Sequence, residues 1–322
     1  MFLRSTVVAA AVVAAACSVP ASAEKSTPNY TSLTVFGDSL VDAGNIYTLT
    51  GGATPSASAG YFNGRFTNGY DYTDLLSIDL FGAPTVASLR GGTNYAFGGA
   101  RASSTSAVPD LAEQLAFYTG DLARGRTVDG NGLYVLNFGG NDVFNAPADD
   151  AAKQAFLMNA ANDYADGVQY LNDLGVRNFL VTGFPVLTDP ASFAAEGYLT
   201  TALGNLNLAS ETTLFRFSYL DFFQRVNTDP GSLGLPVQDT TVTCRQAGAA
   251  AIAAGCVGYF SFDGVHPTAP IQQALYRDLN RQFNLNGAVP EPATWAMLIL
   301  GFFAAGSAMR AQVRRTARVS FA

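Results

Sequence analysis

Leu33-Thr34-Val35-Phe36-Gly37-Asp38-Ser39-Leu40-Val41-Asp42-Ala43-Gly44-Asn45 is the stretch that decides how this chain folds. Its first four residues are a short apolar, β-prone run, and Gly37 ends the run in a turn. The expectation is a buried parallel strand that empties into a tight loop. A serine at such a strand-to-helix turn can expose its hydroxyl and direct a backbone N–H toward a bound carbonyl oxygen. Serines in this position also serve simply as helix caps, so Ser39 needs partners before it can be assigned chemistry.

The same pattern recurs downstream. Leu133-Tyr134-Val135-Leu136 predicts a second strand, followed by Gly139-Gly140-Asn141-Asp142. Asn178-Phe179-Leu180-Val181 predicts a third, running toward Gly183-Phe184-Pro185, and Leu214 to Tyr219 a fourth. Helical spacing falls between them, at Tyr70 to Leu80, Pro109 to Tyr118, Ala151 to Leu174, Ala191 to Ala209 and Pro267 to Phe283. Pro109 suits a helix start, and Gly175 closes the longest helix. Thr48 to Ala59, rich in small residues, predicts a surface loop. Strand, loop and helix in repeated succession predict an α/β fold, a mostly parallel sheet with helices on both faces. Sites in such sheets lie beyond the carboxyl ends of the strands, where Ser39 and Asn141 both fall. No internal repeat and no long linker divides this body.

The chain has one histidine, His266, in Asp263-Gly264-Val265-His266-Pro267-Thr268. Imidazole is the side chain that trades protons near neutral pH, so a hydrolysis needing a neutral base has one candidate. Asp263 is close enough to orient it. One imidazole is too few for the common zinc sites, and no metal or organic cofactor is expected. Asn94-Tyr95-Ala96-Phe97-Gly98-Gly99-Ala100 adds a glycine pair where backbone can approach a substrate. Asn141 adds an amide, which alone reads equally as an Asx-turn.

Taken in order, these four segments resemble the blocks of the GDSL esterase/lipase family, the SGNH hydrolases, over Thr31 to about Phe283. Gly64-Arg65-Phe66-Thr67-Asn68-Gly69 also resembles a segment of the branch that includes secreted bacterial autotransporter esterases and plant GDSL lipases. The resemblance implies a three-layer α/β/α sandwich with a flavodoxin-like sheet. It implies Ser39 as nucleophile, His266 as general base, and Asp263 as the residue orienting it. Ser39, Gly99 and Asn141 would form the oxyanion hole, with Gly98 the competing glycine. The implied activity is hydrolysis of carboxylic esters through an acyl-enzyme, on a short acyl ester, a lipid or an acetylated polysaccharide. An acyltransferase would use the same residues, and a non-catalytic surface or matrix protein could keep the fold.

The two ends carry a different message. Residues 1–23 predict a secretory signal: Arg4, an apolar stretch from Val7 to Ala16, and a small-residue cleavage site at Ala21-Ser22-Ala23. The hydrolase body is expected over 24–288. From 289 to 322, Pro290-Glu291-Pro292 precedes an apolar run from Ala293 to Met309 and the basic residues Arg310, Arg314, Arg315 and Arg318. At 17 residues that run sits at the lower limit for a membrane span. The three parts in this order resemble the PEP-CTERM sorting signal of Gram-negative bacteria. That implies an exosortase as partner, passage through the inner membrane with transient association through the tail helix, and a final extracellular or cell-surface location. A plain C-terminal anchor is the alternative.

Without these ends, the 18 basic residues lose five and the 25 acidic residues one, leaving a net charge of about −11. So acidic a body excludes nucleic acid and anionic surfaces as long-range electrostatic partners. Export makes disulfides possible, and with Cys17 inside the signal, Cys244 and Cys256 are expected to pair.

Overall fold

The computed structural model describes residues 30–103, 106–287 and 302–303. The expected signal over 1–23 and nearly all of the tail from 289 onward lie outside these residues. Among the described residues, no helix is long and apolar enough to cross a membrane.

The strands are β1 (Leu33–Gly37), β2 (Leu133–Asn137), β3 (Asn178–Thr182) and β4 (Thr213–Phe217). All pairs are parallel, in the order β1-β2-β3-β4. Beyond β1 runs an extended segment, residues 93–97, which sequence periodicity does not mark as a strand. Val35 donates its N–H to the Thr93 carbonyl at 3.0 Å, while Tyr95 and Phe97 donate to the carbonyls of Val35 and Gly37 at 2.7 and 3.0 Å. With that segment at the outer edge, the second extended element in the chain flanks the first on the side away from β2. This is the flavodoxin-like order, and its reversal point lies between β1 and β2.

The helices are α1 (Asn45–Leu49), α2 (Tyr72–Phe81), α3 (Leu111–Ala123), α4 (Gly140–Phe144), α5 (Asp150–Asp173), α6 (Pro190–Gly204), α7 (Tyr219–Thr228), α8 (Cys244–Ala247), α9 (Ala249–Ala253) and α10 (Ala269–Phe283). Alternation along the strands divides the core into two layers. Phe36, Tyr134, Leu136, Phe179 and Val181 face α3, α5 and α6. Leu33, Val35, Leu133, Val135 and Leu180 face α2, α7 and α10. The three-layer α/β/α sandwich follows, with strands apolar on both faces because both faces are covered.

Most expected elements stand where the periodicity places them, with shifts at the ends. The helix expected to reach Ala209 stops at Gly204, where Asn205 caps it. The strand expected to reach Tyr219 ends at Phe217. Ser218 accepts from the Asp221 N–H and starts α7, which buries Tyr219, Leu220, Phe222, Phe223 and Val226. The aromatic run looks β-prone, and only burial against the sheet turns it into a helix. The last helix begins at Ala269 rather than Pro267, after Thr268. Thr48 to Ala59 is mostly exposed loop, although α1 extends into it. Cys244 and Cys256 form the expected disulfide and pack with buried Phe262.

Candidate active site

β1 delivers Ser39 at the open end of the sheet, two residues after the strand. Asp38 holds the turn: its Oδ1 accepts from the Leu40 N–H at 2.9 Å and from Asn137 Nδ2 at 3.1 Å. Asn137 ends β2, so the turn that carries Ser39 is tied to the neighbouring strand. Its Oδ1 accepts in turn from the buried hydroxyls of Tyr72, Tyr219 and Thr182. Gln114 of α3 seals the end of β1 by taking the Gly37 N–H and donating to the Gly37 carbonyl.

His266 arrives from the far end of the chain. Its Nε2 lies 2.7 Å from Ser39 Oγ and its Nδ1 lies 2.7 Å from Asp263 Oδ2. An ionised carboxylate only accepts, so Nδ1 carries the proton toward Asp263 and the neutral ring presents Nε2 to the serine. Asp263 Oδ1 accepts the N–H groups of Val265 and His266 at 3.0 and 2.9 Å, closing a tight loop around the ring. Burial by itself would raise the Asp263 carboxyl. The hydrogen bond and charge of His266, with a further bond from Tyr61, outweigh it and hold Asp263 below the usual carboxylate range.

The glycine pair is resolved by its hydrogen bonds. Gly98 gives its N–H to Asp42 Oδ2 at 2.9 Å, and a Cβ there would sit 2.4 Å from the Phe66 ring. Gly99 has φ +90°, a left-handed backbone conformation that favours glycine. Among the described residues, the N–H groups of Gly99 and Ser39 have no hydrogen-bond partner. Asn141 Nδ2 donates to the Ala100 carbonyl at 2.9 Å, which places its amide beside the glycine pair and leaves its second hydrogen for a ligand. Gly99 rather than Gly98 is therefore the donor still open.

Several supporting residues carry no recognisable chemistry in the sequence. Asp42 accepts from the N–H groups of Gly44, Asn45, Ile46 and Gly98, joining the nucleophile segment to the glycine segment. Asp142 accepts from the Ala102 and Ser103 N–H groups and the Ser103 hydroxyl, joining the glycine segment to α4. The Phe66 ring lies 5.2 Å from the His266 ring, tilted 36° to it. Its neighbour Arg65 is fixed by a buried two-point ion pair with Asp74. The signal that could have found Asp42 and Asp142 is position: each is an acid at a turn that follows a strand end.

A cavity of about 430 Å³ opens beside Ser39 and Asn141. Its apolar walls include Leu40, Phe144, Val186, Leu187, Phe223 and Phe260, and Asp38 and Asp239 are the acidic residues on it. Residues 185–188 and 239–243 contribute to its lining, whereas Thr48 to Ala59 does not. Among the described residues there is no group of acids, cysteines and histidine placed to hold a metal ion.

The parallel α/β/α sheet thus brings serine, histidine and aspartate into hydrogen-bond contact past its strand ends. The model of GDSL-like lipases and acylhydrolases matches residues 33–279, and the chain belongs to that family. It is similar to Lipase 1 of Photorhabdus luminescens, 34% identical over 169 residues, covering 48% of this chain and 22% of that protein. It is 29% identical over 164 residues to the thermolabile hemolysin of Vibrio parahaemolyticus, covering 49% of this chain and 34% of the relative. It is 30% identical over 166 residues to the secreted effector protein SseJ of Salmonella typhimurium, covering 49% and 36%. The matches thus span between about a fifth and about a third of these relatives' lengths. A crystal structure of LAE5, an alpha/beta hydrolase from the metagenome of Lake Arreo, aligns with 80% of this chain and 98% of that chain at TM-score 0.43 and 13% identity.

Two outcomes are expected of this site. Replacing Asn141 by alanine removes a donor of a kind typically worth ~3 kcal/mol in barrier. Turnover should fall roughly a hundred- to a thousand-fold with KM little changed, as steady-state kinetics on a chromogenic ester will read. The second concerns Asp38, which desolvation by burial pushes up to about 7, against the Leu40 N–H that lowers it. A carboxyl whose folded pKa is raised holds a proton that the unfolded chain has already released. Its contribution therefore favours the fold at low pH and is lost as pH rises from about 4 to about 7. Asp38→Asn can keep both hydrogen bonds to Oδ1 without ionising. The stability difference between variant and wild type, from urea unfolding, should move in the variant's favour across that window and level off above it.

Proposed function

We propose that this protein is a serine esterase that hydrolyses carboxylic esters through an acyl-enzyme on Ser39. The observation that carries this reading is the unbroken chain of contacts from Ser39 Oγ to His266 Nε2 and from His266 Nδ1 to Asp263, each 2.7 Å. His266 takes the Ser39 proton as the hydroxyl oxygen attacks the ester carbonyl. The negative charge that develops on the carbonyl oxygen is met by the N–H groups of Ser39 and Gly99 and by the Asn141 amide. His266 returns the proton to the leaving alcohol, and water repeats the sequence on the acyl-enzyme. Asp263 stays ionised and keeps the imidazole in the tautomer that presents Nε2.

The cavity supports an acyl group longer than acetyl. About 430 Å³ of largely apolar space falls in the ~300–1,000 Å³ range of sites that take drug-sized ligands. An acetyl group displaces only about two waters, or ~60 Å³. Relatives named as a lipase and a hemolysin agree with a lipid-like acyl chain. Each methylene buried adds at most ~0.8 kcal/mol, about fourfold in kcat/KM. A p-nitrophenyl ester series from two to twelve carbons should therefore climb at least tenfold between acetate and octanoate. A maximum at acetate, or on acetylated polysaccharide, would overturn the chain-length reading. A fluorophosphonate probe should label Ser39 in the wild type and nothing in Ser39→Ala; an unlabelled wild type would remove the esterase reading itself.

We further propose export, with residues 1–23 as secretory signal and residues 289–322 as a sorting signal processed by an exosortase at the inner membrane. Three parts support it in sequence: Pro290-Glu291-Pro292, the apolar run after it and the terminal arginines. The Cys244–Cys256 disulfide also suits an oxidising compartment. Expressed in a Gram-negative host that carries an exosortase, the full chain should lose both ends, and the intact mass of the cell-surface product should show it. A tail retained equally in hosts with and without that enzyme would leave a plain anchor instead.

A further inference from the structure

The segment Tyr61 to Asn68 closes over the triad without containing a member of it. Thr67 Oγ1 donates to the Pro267 carbonyl at 2.8 Å, and Asn68 Oδ1 accepts from the Ala269 N–H at 2.8 Å, so this segment grips the chain on the far side of His266. On the near side, the Tyr61 hydroxyl lies 2.6 Å from Asp263 Oδ2, the same oxygen that receives the His266 ring proton. Arg245 Nη1 lies 3.2 Å from the Tyr61 oxygen, and the guanidinium carbon sits 5.3 Å from the ring centroid.

The proton directions follow from the groups themselves. A guanidinium only donates and an ionised carboxylate only accepts. The phenol must therefore accept from Arg245 and send its own proton to Asp263. Burial, and next the bond to Asp263, push the Tyr61 hydroxyl up to about 12, so it remains a donor over the whole range in which an ester can be assayed. Its ring is held edge-on against Phe262 at 5.0 Å and Phe66 at 6.3 Å.

The backbone that carries Arg245 is fixed as well. The N–H groups of Cys244 and Arg245 donate to the carbonyls of Ser261 and Phe262, each at 3.0 Å, and Cys244 is bonded to Cys256. The stapled helix α8 is thus clamped onto the two residues that precede Asp263.

We infer that Tyr61, held by Arg245, is a positioning residue for the triad: it locks the Asp263 carboxylate and draws charge from the oxygen that faces His266. With Tyr61 in place, Asp263 accepts four donors: the Val265 and His266 N–H groups, the His266 ring and the phenol. A carboxylate filled in this way has no second orientation to turn to, and the imidazole it holds keeps Nε2 on Ser39. Without the phenol, Oδ2 keeps only the His266 ring as donor, so the carboxylate is less restrained and is a stronger partner for a protonated imidazole. The groups in hydrogen-bond contact around the imidazole are then Asp263 on one side and Ser39 on the other, with Tyr61 and Arg245 acting through Asp263.

This inference rests on the esterase reading for its kinetic arm only. Tyr61→Phe keeps the ring and removes the hydroxyl. On p-nitrophenyl octanoate, kcat should fall about tenfold with KM within about twofold. The acid limb of the kcat/KM profile should move to higher pH by roughly half a unit, because the protonated imidazole gains a less neutralised carboxylate. Arg245→Gln, at an exposed position, should move the limb in the same direction by less, and serves if Tyr61→Phe folds poorly. The protein has a single histidine, so the NMR titration of its ring nitrogens reports His266 with no turnover required. A limb and titration midpoint within about 0.2 unit of wild type in both variants would overturn the inference, whatever happens to kcat. Should the wild type hydrolyse no ester, the esterase reading falls, and the ring titration still decides the role of Tyr61.

Discussion

One imidazole has to meet a hydroxyl 227 residues away in the chain at 2.7 Å, and much of the structure can be understood from that requirement. A contact so distant in sequence comes at a large cost in chain entropy, and it holds because the folded structure immobilises both of its ends. The parallel sheet does the first part. Strands running the same way put their loops at one edge, so Ser39 and the Gly139-Gly140-Asn141 turn arrive side by side. The second part falls to the loop from Ser261 to Thr268, which contains no long helix and no sheet strand. It is held by α8 through the disulfide staple, by the segment around Phe66 to Asn68, and by the four donors that fill Asp263.

Between the segments the ties are buried carboxylates. Asp42 bridges the nucleophile turn to Gly98, and Asp142 bridges the glycine segment to α4. Asp38 locks the turn that carries Ser39. Each collects backbone N–H groups that the loops would otherwise leave unpaired, which is the condition for burying such a group at all. The cost is visible in Asp38 and Asp42, whose carboxyls desolvation raises to about 7 and about 6. A carboxylate that accepts from several N–H groups also fixes their directions. Once Gly98 is taken by Asp42, the next N–H in the chain, that of Gly99, is the one left facing outward. The choice between adjacent glycines is thus made by an acid 56 residues before Gly98.

How much of this could be read in advance depended on whether the signal is local. The four strands and five long helices are periodic over their own length, and so they were legible apart from their ends. The edge segment at residues 93–97 was not, because Asn94-Tyr95-Ala96-Phe97 has no clear alternation and becomes extended by pairing with β1. Helix α7 was not, because Tyr219 to Phe223 is as β-prone as the strand before it. Ser39, Asn141, Asp263 and His266 stood out because each combines a reactive group with a turn. Tyr61 and Arg245 did not. A tyrosine in a loop and an arginine in the short helix α8 have no pattern of their own and gain meaning only from what they touch.

The sequence by itself therefore determined the class of fold, the one candidate for a base through its solitude, and the residues that could share its work. These follow from composition and short-range pattern, which a chain carries whether or not it is folded. Tertiary structure decided which glycine leaves its N–H open, which loops line the cavity, and which side chains hold the aspartate that holds the histidine. Those are properties of contacts between segments far apart in the chain. Their geometry is set by packing around a common core, and no local stretch of residues encodes it.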